Sequence, residues 1–277
     1  DHLRGLGAEV GSVHWQAEAS AANMHKPTLH THDRFGHRVD RVEYHPSYHE
    51  LMRLSVESGV CSYAWDGESA SRPGALTARG ALMHLMYQLE CGVCCPTTMT
   101  FAAFPALRGT PSVAEAWGPL LTSRAYDGRD VPISEKAGAT IGMSMTEKQG
   151  GSDVRANTTL ATPVHAARAG PGDQFTLVGH KWFTSAPMSD AFLTLARTAE
   201  GVSCFLVPRW LPGGRRNEGL RVQRLKEKVG DRSNASSEVE YANAWGLMVG
   251  DPGRGVRTIV EMVVHTRLDC VIGSAAL

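Results

Sequence analysis

The apolar residues of this chain change period twice along its length, and that change limits the folds open to it. Before about residue 140 the period is helical. In "HPSYHELMRLSVESGVCSYAW", Pro46 stands where a first helical residue would, and Tyr48, Leu51, Met52, Val56 and Val60 recur on one face. Leu76, Leu82, Leu85, Met86 and Leu89 do the same in "PGALTARGALMHLMYQLECGV". "PTTMTFAAFPAL" and "SVAEAWGPLL" read as shorter helices parted by Pro105 and Pro111. Past residue 140, "DQFTLVGHKWFTSA", "DAFLTLART", "VSCFLVPRW" and "SSEVEYANA" are short and rich in β-branched and aromatic residues. Gly, Pro, Asn and Asp separate them, as expected of a small antiparallel barrel or sandwich. From Gly255 the helical period returns through Val256, Ile259, Val260, Val263, Val264, Leu268, Val271 and Ile272. Helices, then strands, then a helix, without βαβ alternation, argue against a Rossmann domain.

A chain of 277 residues suits one large domain or two ordinary ones. Its 28 basic and 28 acidic side chains cancel, which argues against a chain-wide nucleic-acid footprint and leaves a local one open. No run of about 20 apolar residues exists to span a membrane. Six cysteines over this length make no disulfide framework and point to a reducing, cytoplasmic setting. The chain starts at Asp1 without a methionine and stops at Leu277 inside an apolar-periodic run. The expectation is an internal piece of a longer protein.

The densest candidate for chemistry is "MTEKQGGSD". Gly150 and Gly151 would let successive backbone N–H groups converge on an anion, Ser152 adds a hydroxyl, and Thr146 could bond a flat heterocycle. The stretch is neither a Walker loop nor GxGxxG, and by itself it also reads as a polar hairpin turn. "GHKWFTSA" adds Trp182 two residues before Thr184, hence on the same strand face, an indole beside a hydroxyl. A lone strand tryptophan also reads as core; the two motifs in one β region favour a planar aromatic cofactor. His30 with His32, and His45 with His49, have chelating spacings, but nothing completes either set and no metal is expected. "CGVCC" (Cys91, Cys94, Cys95) is expected to close a helix as buried thiols. The basic run holding Arg209, Arg215, Arg216, Arg221, Arg224, Lys226 and Lys228 reads as a solvated hairpin or a phosphate contact.

Together with "KVGDRSNASSEVEY" and "GDPGRGVRTIVEMVVHTRLDC", these two motifs resemble the acyl-CoA dehydrogenase family. "EYHPSYHELM" and "CCPTTMTFAAFPAL" are similar to its AidB-like, alkylation-response branch, which is related to isovaleryl-CoA dehydrogenase. The resemblance runs over nearly the whole chain. It implies a multidomain fold: an all-α N-terminal domain (1–137), a central antiparallel β-barrel (138–252) that binds flavin, and the first helix of an incomplete C-terminal helical bundle (253–277). It also implies noncovalent FAD. Met145 and Thr146 would face the pyrimidine edge of the flavin, and Gly151 and Ser152 its pyrophosphate. Trp182, with Phe183 beside it, would lie along the isoalloxazine, and Thr184 near N5.

The activity implied is α,β-desaturation of an acyl-CoA, by removal of the α-proton and transfer of a β-hydride to flavin N5. Where family members carry a base glutamate before an arginine, this chain has Thr266 before Arg267, with Glu261 and Asp269 out of register. The base is therefore expected beyond Leu277. The alternative the resemblance raises is a flavin-containing, DNA-associated protein limiting alkylation damage, touching DNA through a region outside these residues. A homotetramer is implied for the full length. Residues 1–277 alone are expected to be inactive, to hold FAD poorly and to expose the apolar stripe of the last helix.

Overall fold

The computed structural model describes residues 1–165 and 169–277. Its first half is helical: α1 (His2–Val10), α2 (Val13–Met24), α3 (Pro46–Glu57), α4 (Ala75–Leu89), α5 (Cys91–Leu107) and α6 (Pro111–Leu121). Pro46 does open α3, where its missing N–H removes no helical bond. One departure from an all-helical domain is a hairpin, β1 (Thr28–His32) with β2 (Arg38–Glu43), antiparallel. Its residues are mostly polar, so it carries little apolar period. It is held from outside, as Arg38 donates to the carbonyl of Val222 at 2.7 Å and Asp40 accepts from the Val222 N–H.

"CGVCC" opens a helix instead of closing one. The chain turns extended at Glu90, whose carboxylate accepts from the N–H groups of Gly92 and Val93 and caps α5. That cap starts a second helix directly after α4, which runs through Pro96 and Pro105. All six cysteines are free, and burial pushes the Cys61 thiol up to about 12.

The second half is β: β3 (Ile141–Thr146), β4 (Leu160–Pro163), β5 (Gln174–Ser185), β6 (Ala191–Thr198), β7 (Gly201–Pro208), β8 (Leu220–Leu225) and β9 (Ser236–Val249). The pairings β3–β5, β5–β9, β9–β7, β7–β6 and β6–β3 close a ring of five strands. β8 widens it beside β9, and β4 lies between β5 and β6. The barrel is antiparallel except at β3–β6 and β4–β6, which run parallel. Closure joins strands distant in sequence, so no hairpin dictates their direction. Phe175, Leu177, Phe205, Val207, Val239 and Tyr241 belong to one buried cluster of the sheet.

α7 (Gly255–Ala276) returns to the helical half. A shared core joins Ala102, Leu107 and Trp117 of α5 and α6 to Ile141, Leu193 and Leu206 of the barrel and to Ile259 and Met262 of α7. Val260, Val264, Leu268 and Val271 of the periodic run instead face solvent. No helix among the described residues is long and apolar enough to cross a membrane.

Candidate functional site

β3 and β5 bring the two sequence motifs together. Ser144 pairs with Thr184 and Thr146 with Phe183, so Met145 sits in a bulge. The Asn157 side chain, fully buried, steadies that bulge by donating to the Met145 carbonyl at 2.8 Å. Glu147 and Gly150 then close a tight turn, with the Gly150 N–H on the Glu147 carbonyl at 3.0 Å. Gly150 has φ +127, a left-handed value that disfavours any side chain. Gly151 is needed for space: a Cβ there would stand 2.7 Å from Thr146 Oγ1. Among the described residues nothing takes up the backbone N–H of Gly151 or Ser152. Ser152 itself is exposed.

The expected alternation of Trp182 and Thr184 is broken. β5 holds one extra residue against β9 between Lys181 and Thr184. Lys181 therefore points inward, Trp182 and Phe183 lie outward, and Thr184 turns in again, 1% exposed. Its hydroxyl meets Ser144 Oγ at 2.5 Å, a partner that strand periodicity did not single out. Phe183 is 42% exposed, a large apolar ring left open beside the glycine turn's strand.

Cations ring the indole. Lys226 Nζ lies 3.3 Å from the Trp182 ring centroid, and Lys148 and Arg224 approach to 5.9 Å. Glu238 holds Lys226 and Arg224 in place at 2.7 and 2.8 Å. Those hydrogen bonds keep the Glu238 carboxyl down at about 2. Elsewhere in the basic run Arg209 and Arg216 both meet Asp130 at 2.9 Å, and Arg221 and Lys228 donate to backbone carbonyls. Under the turn, Glu147 is buried and would be raised by that burial. Donors from Thr158, Thr159 and Lys181 hold it instead at about 2.

The other candidates find different places. His30 contacts Glu43, His45 caps α3, and His49 bonds Tyr126. No group of three metal-ligating side chains forms among the described residues. On α7, Thr266 Oγ1 donates back to the Val263 carbonyl at 3.0 Å. Glu261 is exposed, and Asp269 is 1% exposed in a salt bridge to Arg79. No free carboxylate of α7 stands buried as a base.

A glycine turn with open N–H groups at one end and exposed rings at the other suits a flavin dinucleotide, and the scaffold is a helical domain joined to a barrel. Residues 1–128 match the family model described as the adaptive response protein AidB N-terminal domain, and residues 142–244 the acyl-CoA dehydrogenase middle domain. The chain is 46% identical over 278 residues to AidB of Escherichia coli (strain K12), covering 100% of this chain and 50% of that protein. Acyl-CoA dehydrogenase family member 11 of Caenorhabditis elegans is 31% identical over 91% of this chain and 41% of its own length. The C. elegans protein solved in complex with C11-CoA superposes with a TM-score of 0.81 at 29% identity, covering 95% of this chain and 44% of that one. Butyryl-CoA dehydrogenase of Megasphaera elsdenii, 16% identical, shares the fold with a TM-score of 0.72 over 100% of this chain and 64% of its own.

The chain belongs to the acyl-CoA dehydrogenase family, and it spans about half the length of the curated relatives it matches. The family's cofactor is FAD. The residues present fit it, since the Gly151 cradle is one that a side chain would fill and the backbone N–H groups of Gly151 and Ser152 are left open there.

Proposed function

We propose that these residues form the cofactor-binding half of an FAD-dependent acyl-CoA dehydrogenase, acting on the Cα–Cβ bond of an acyl thioester. The observation that carries this reading is the Gly150–Gly151 turn set against Thr146, with Phe183 and Trp182 on the adjoining strand. FAD, when bound, supplies hydride acceptance. Met145 and Thr146 would hold the pyrimidine edge, the open N–H groups of Gly151 and Ser152 the pyrophosphate, and Trp182 and Phe183 the ring face. Thr184 would stand near N5, its hydroxyl fixed by Ser144. The α-proton would go to a base outside residues 1–277, and the domain limits at 137 and 252 belong to the same proposal.

The full-length protein should purify yellow, and Gly151→Val should lose flavin, because its side chain must displace the Thr146 hydroxyl. Flavin retained by that variant as tightly as by the parent would remove the turn from the site. Anaerobic titration with short, branched and long acyl-CoAs should bleach the holoprotein, and no bleaching with any of them would defeat the dehydrogenase reading.

Thr184→Val should cost about 1 kcal/mol of stability through its lost buried hydrogen bond and shift the flavin reduction potential. Spectroelectrochemistry separates the two: a stability loss with an unchanged potential leaves Thr184 a structural residue.

The match of residues 1–128 to the AidB N-terminal domain favours a second reading, a flavin-containing protein that associates with DNA and limits alkylation damage. A full-length protein that binds duplex DNA with a steep salt dependence and leaves acyl-CoA unchanged would support it over the first. A cytoplasmic homotetramer is proposed under either reading.

A further inference from the structure

Gln149 stands in the glycine turn, one residue before Gly150, and is exposed. Its amide donates to Asn157 Oδ1 at 3.0 Å, and Asn157 in turn donates to the Met145 carbonyl at 2.8 Å. The two bonds run in series from the turn back to the bulge at its foot. We propose that Gln149 and Asn157 are positioning residues, a relay that ties the glycine turn to the peptide receiving the pyrimidine edge of the flavin. This role rests on the FAD assignment proposed above.

The sense of each amide is set by its neighbours. The Met145 carbonyl can only accept, so Asn157 presents its NH2 there and its oxygen is left for Gln149. Gln149 is the side-chain donor that meets that oxygen. Without it, a buried amide oxygen stands unpaired and the hold on Met145 loosens. Asn157 is 0% exposed, so it acts on the cofactor through Met145 and not by contact.

The backbone of Asn157 is anchored separately. Arg197 of β6 donates from Nε to the Asn157 carbonyl and from its own backbone N–H to the Thr159 carbonyl, both at 2.7 Å. Glu147 holds the N–H and hydroxyl groups of Thr158 and Thr159 beside it. Losing the Gln149 bond therefore frees the Asn157 amide without releasing the segment that carries it.

The pyrimidine edge of a flavin alternates carbonyl oxygens with an N–H, and hydrogen bonds weaken steeply as they bend. A Met145 peptide that tilts would hold the ring less well. Hydrogen bonds to the ring also tune its electronics, so the same tilt would move the flavin potential.

The test uses the full-length holoprotein with Gln149→Met, Asn157→Leu and both together. FAD release on dilution is followed by flavin fluorescence, the potential by spectroelectrochemistry, and unfolding by circular dichroism. Gln149→Met removes an exposed amide and should unfold like wild type. It should still release FAD about three- to tenfold faster and shift the flavin potential. Asn157→Leu should do at least as much, and the double variant no more than Asn157→Leu alone, because the bonds act in series. Should Asn157→Leu not fold, Gln149→Met decides by itself. Wild-type release and potential in Gln149→Met, or effects that sum in the double variant, would overturn the relay. Gly151→Val separates this from the assignment beneath it. If that variant loses flavin while Gln149→Met behaves as wild type, the relay fails and the cofactor site stands; if both retain flavin as wild type does, the site fails with it.

Discussion

Glu147→Ala should lower the free energy of unfolding by about 3–5 kcal/mol and abolish flavin retention with it. Glu147 follows Thr146 directly and opens the glycine turn. Its carboxylate accepts from the N–H and hydroxyl of Thr158 at 2.6 and 2.9 Å and of Thr159 at 3.1 and 2.6 Å. The fifth donor is Lys181 Nζ at 2.9 Å, an ammonium wholly buried in the barrel, whose other partner is the Leu195 carbonyl. Removing the carboxylate leaves that charge buried with one neutral acceptor. Lys181→Met should be milder, because methionine fills the space and Glu147 keeps its four threonine donors.

Acidity should have the same effect in wild type. The Glu147 carboxyl sits at about 2 in the fold against an ordinary 4.5. A depressed carboxylate contributes stability above its unfolded value and loses it as the pH falls through its folded one. Denaturant unfolding of wild type and Glu147→Gln should therefore differ by a constant amount at neutral pH, and the curves should converge between 4.5 and 2. A Glu147→Ala protein within about 1 kcal/mol of wild type would show that the pair contributes little beyond packing.

Asp269→Ala should be as damaging, again about 3–5 kcal/mol, and should loosen α7 from the helical half. Arg79 on α4 and Asp269 on α7 are 3% and 1% exposed and form a salt bridge. Thr98 of α5 donates to the other carboxylate oxygen. Arg79 donates to the Val60 carbonyl at 3.0 Å and lies 3.8 Å over the Phe101 ring. Without Asp269 the guanidinium stays buried and uncompensated. Arg79→Met with Asp269→Leu should recover most of the loss, since an apolar pair of similar size replaces such a bridge at little cost. The same experiment settles the role of Asp269. An Asp269→Ala protein that unfolds like wild type but no longer bleaches with acyl-CoA would make it the base, against the structural role assigned here.

Much of the fold could be read from spacing. The starts of α3 and α7, the strands β5, β6, β7 and β9 and the glycine turn follow from local pattern, whereas β3, β4 and β8 were not singled out. The β1–β2 hairpin escaped because its residues are polar and its support comes from β8. The cap at Glu90 escaped because a glutamate seldom takes that position, and it reversed the sense of "CGVCC". The apolar stripe of α7, expected to be exposed, is so only in part, because Ile259 and Met262 are buried while Val260, Val264, Leu268 and Val271 are exposed on the same helix. Periodicity shows that a helix has an apolar face, and the neighbours decide which part of it is covered.

The candidate site divides in the same way. The turn at Gly150 and the strand that carries Trp182 and Phe183 were legible in the sequence because a left-handed turn and a run of β-formers are local requirements. The direction of Thr184 was set by the bulge at Lys181–Thr184, which exists only where β5 meets β9. The partners of Glu147 and Asp269 lie 34 residues away for Lys181 and 190 for Arg79. Sequence by itself determined where the glycine turn falls and where the strongly periodic helices and strands lie, since those depend on each residue and its near neighbours. Tertiary structure alone decided which charges are paired, because burial and pairing are properties of segments brought together by closure of the barrel and the packing of α7.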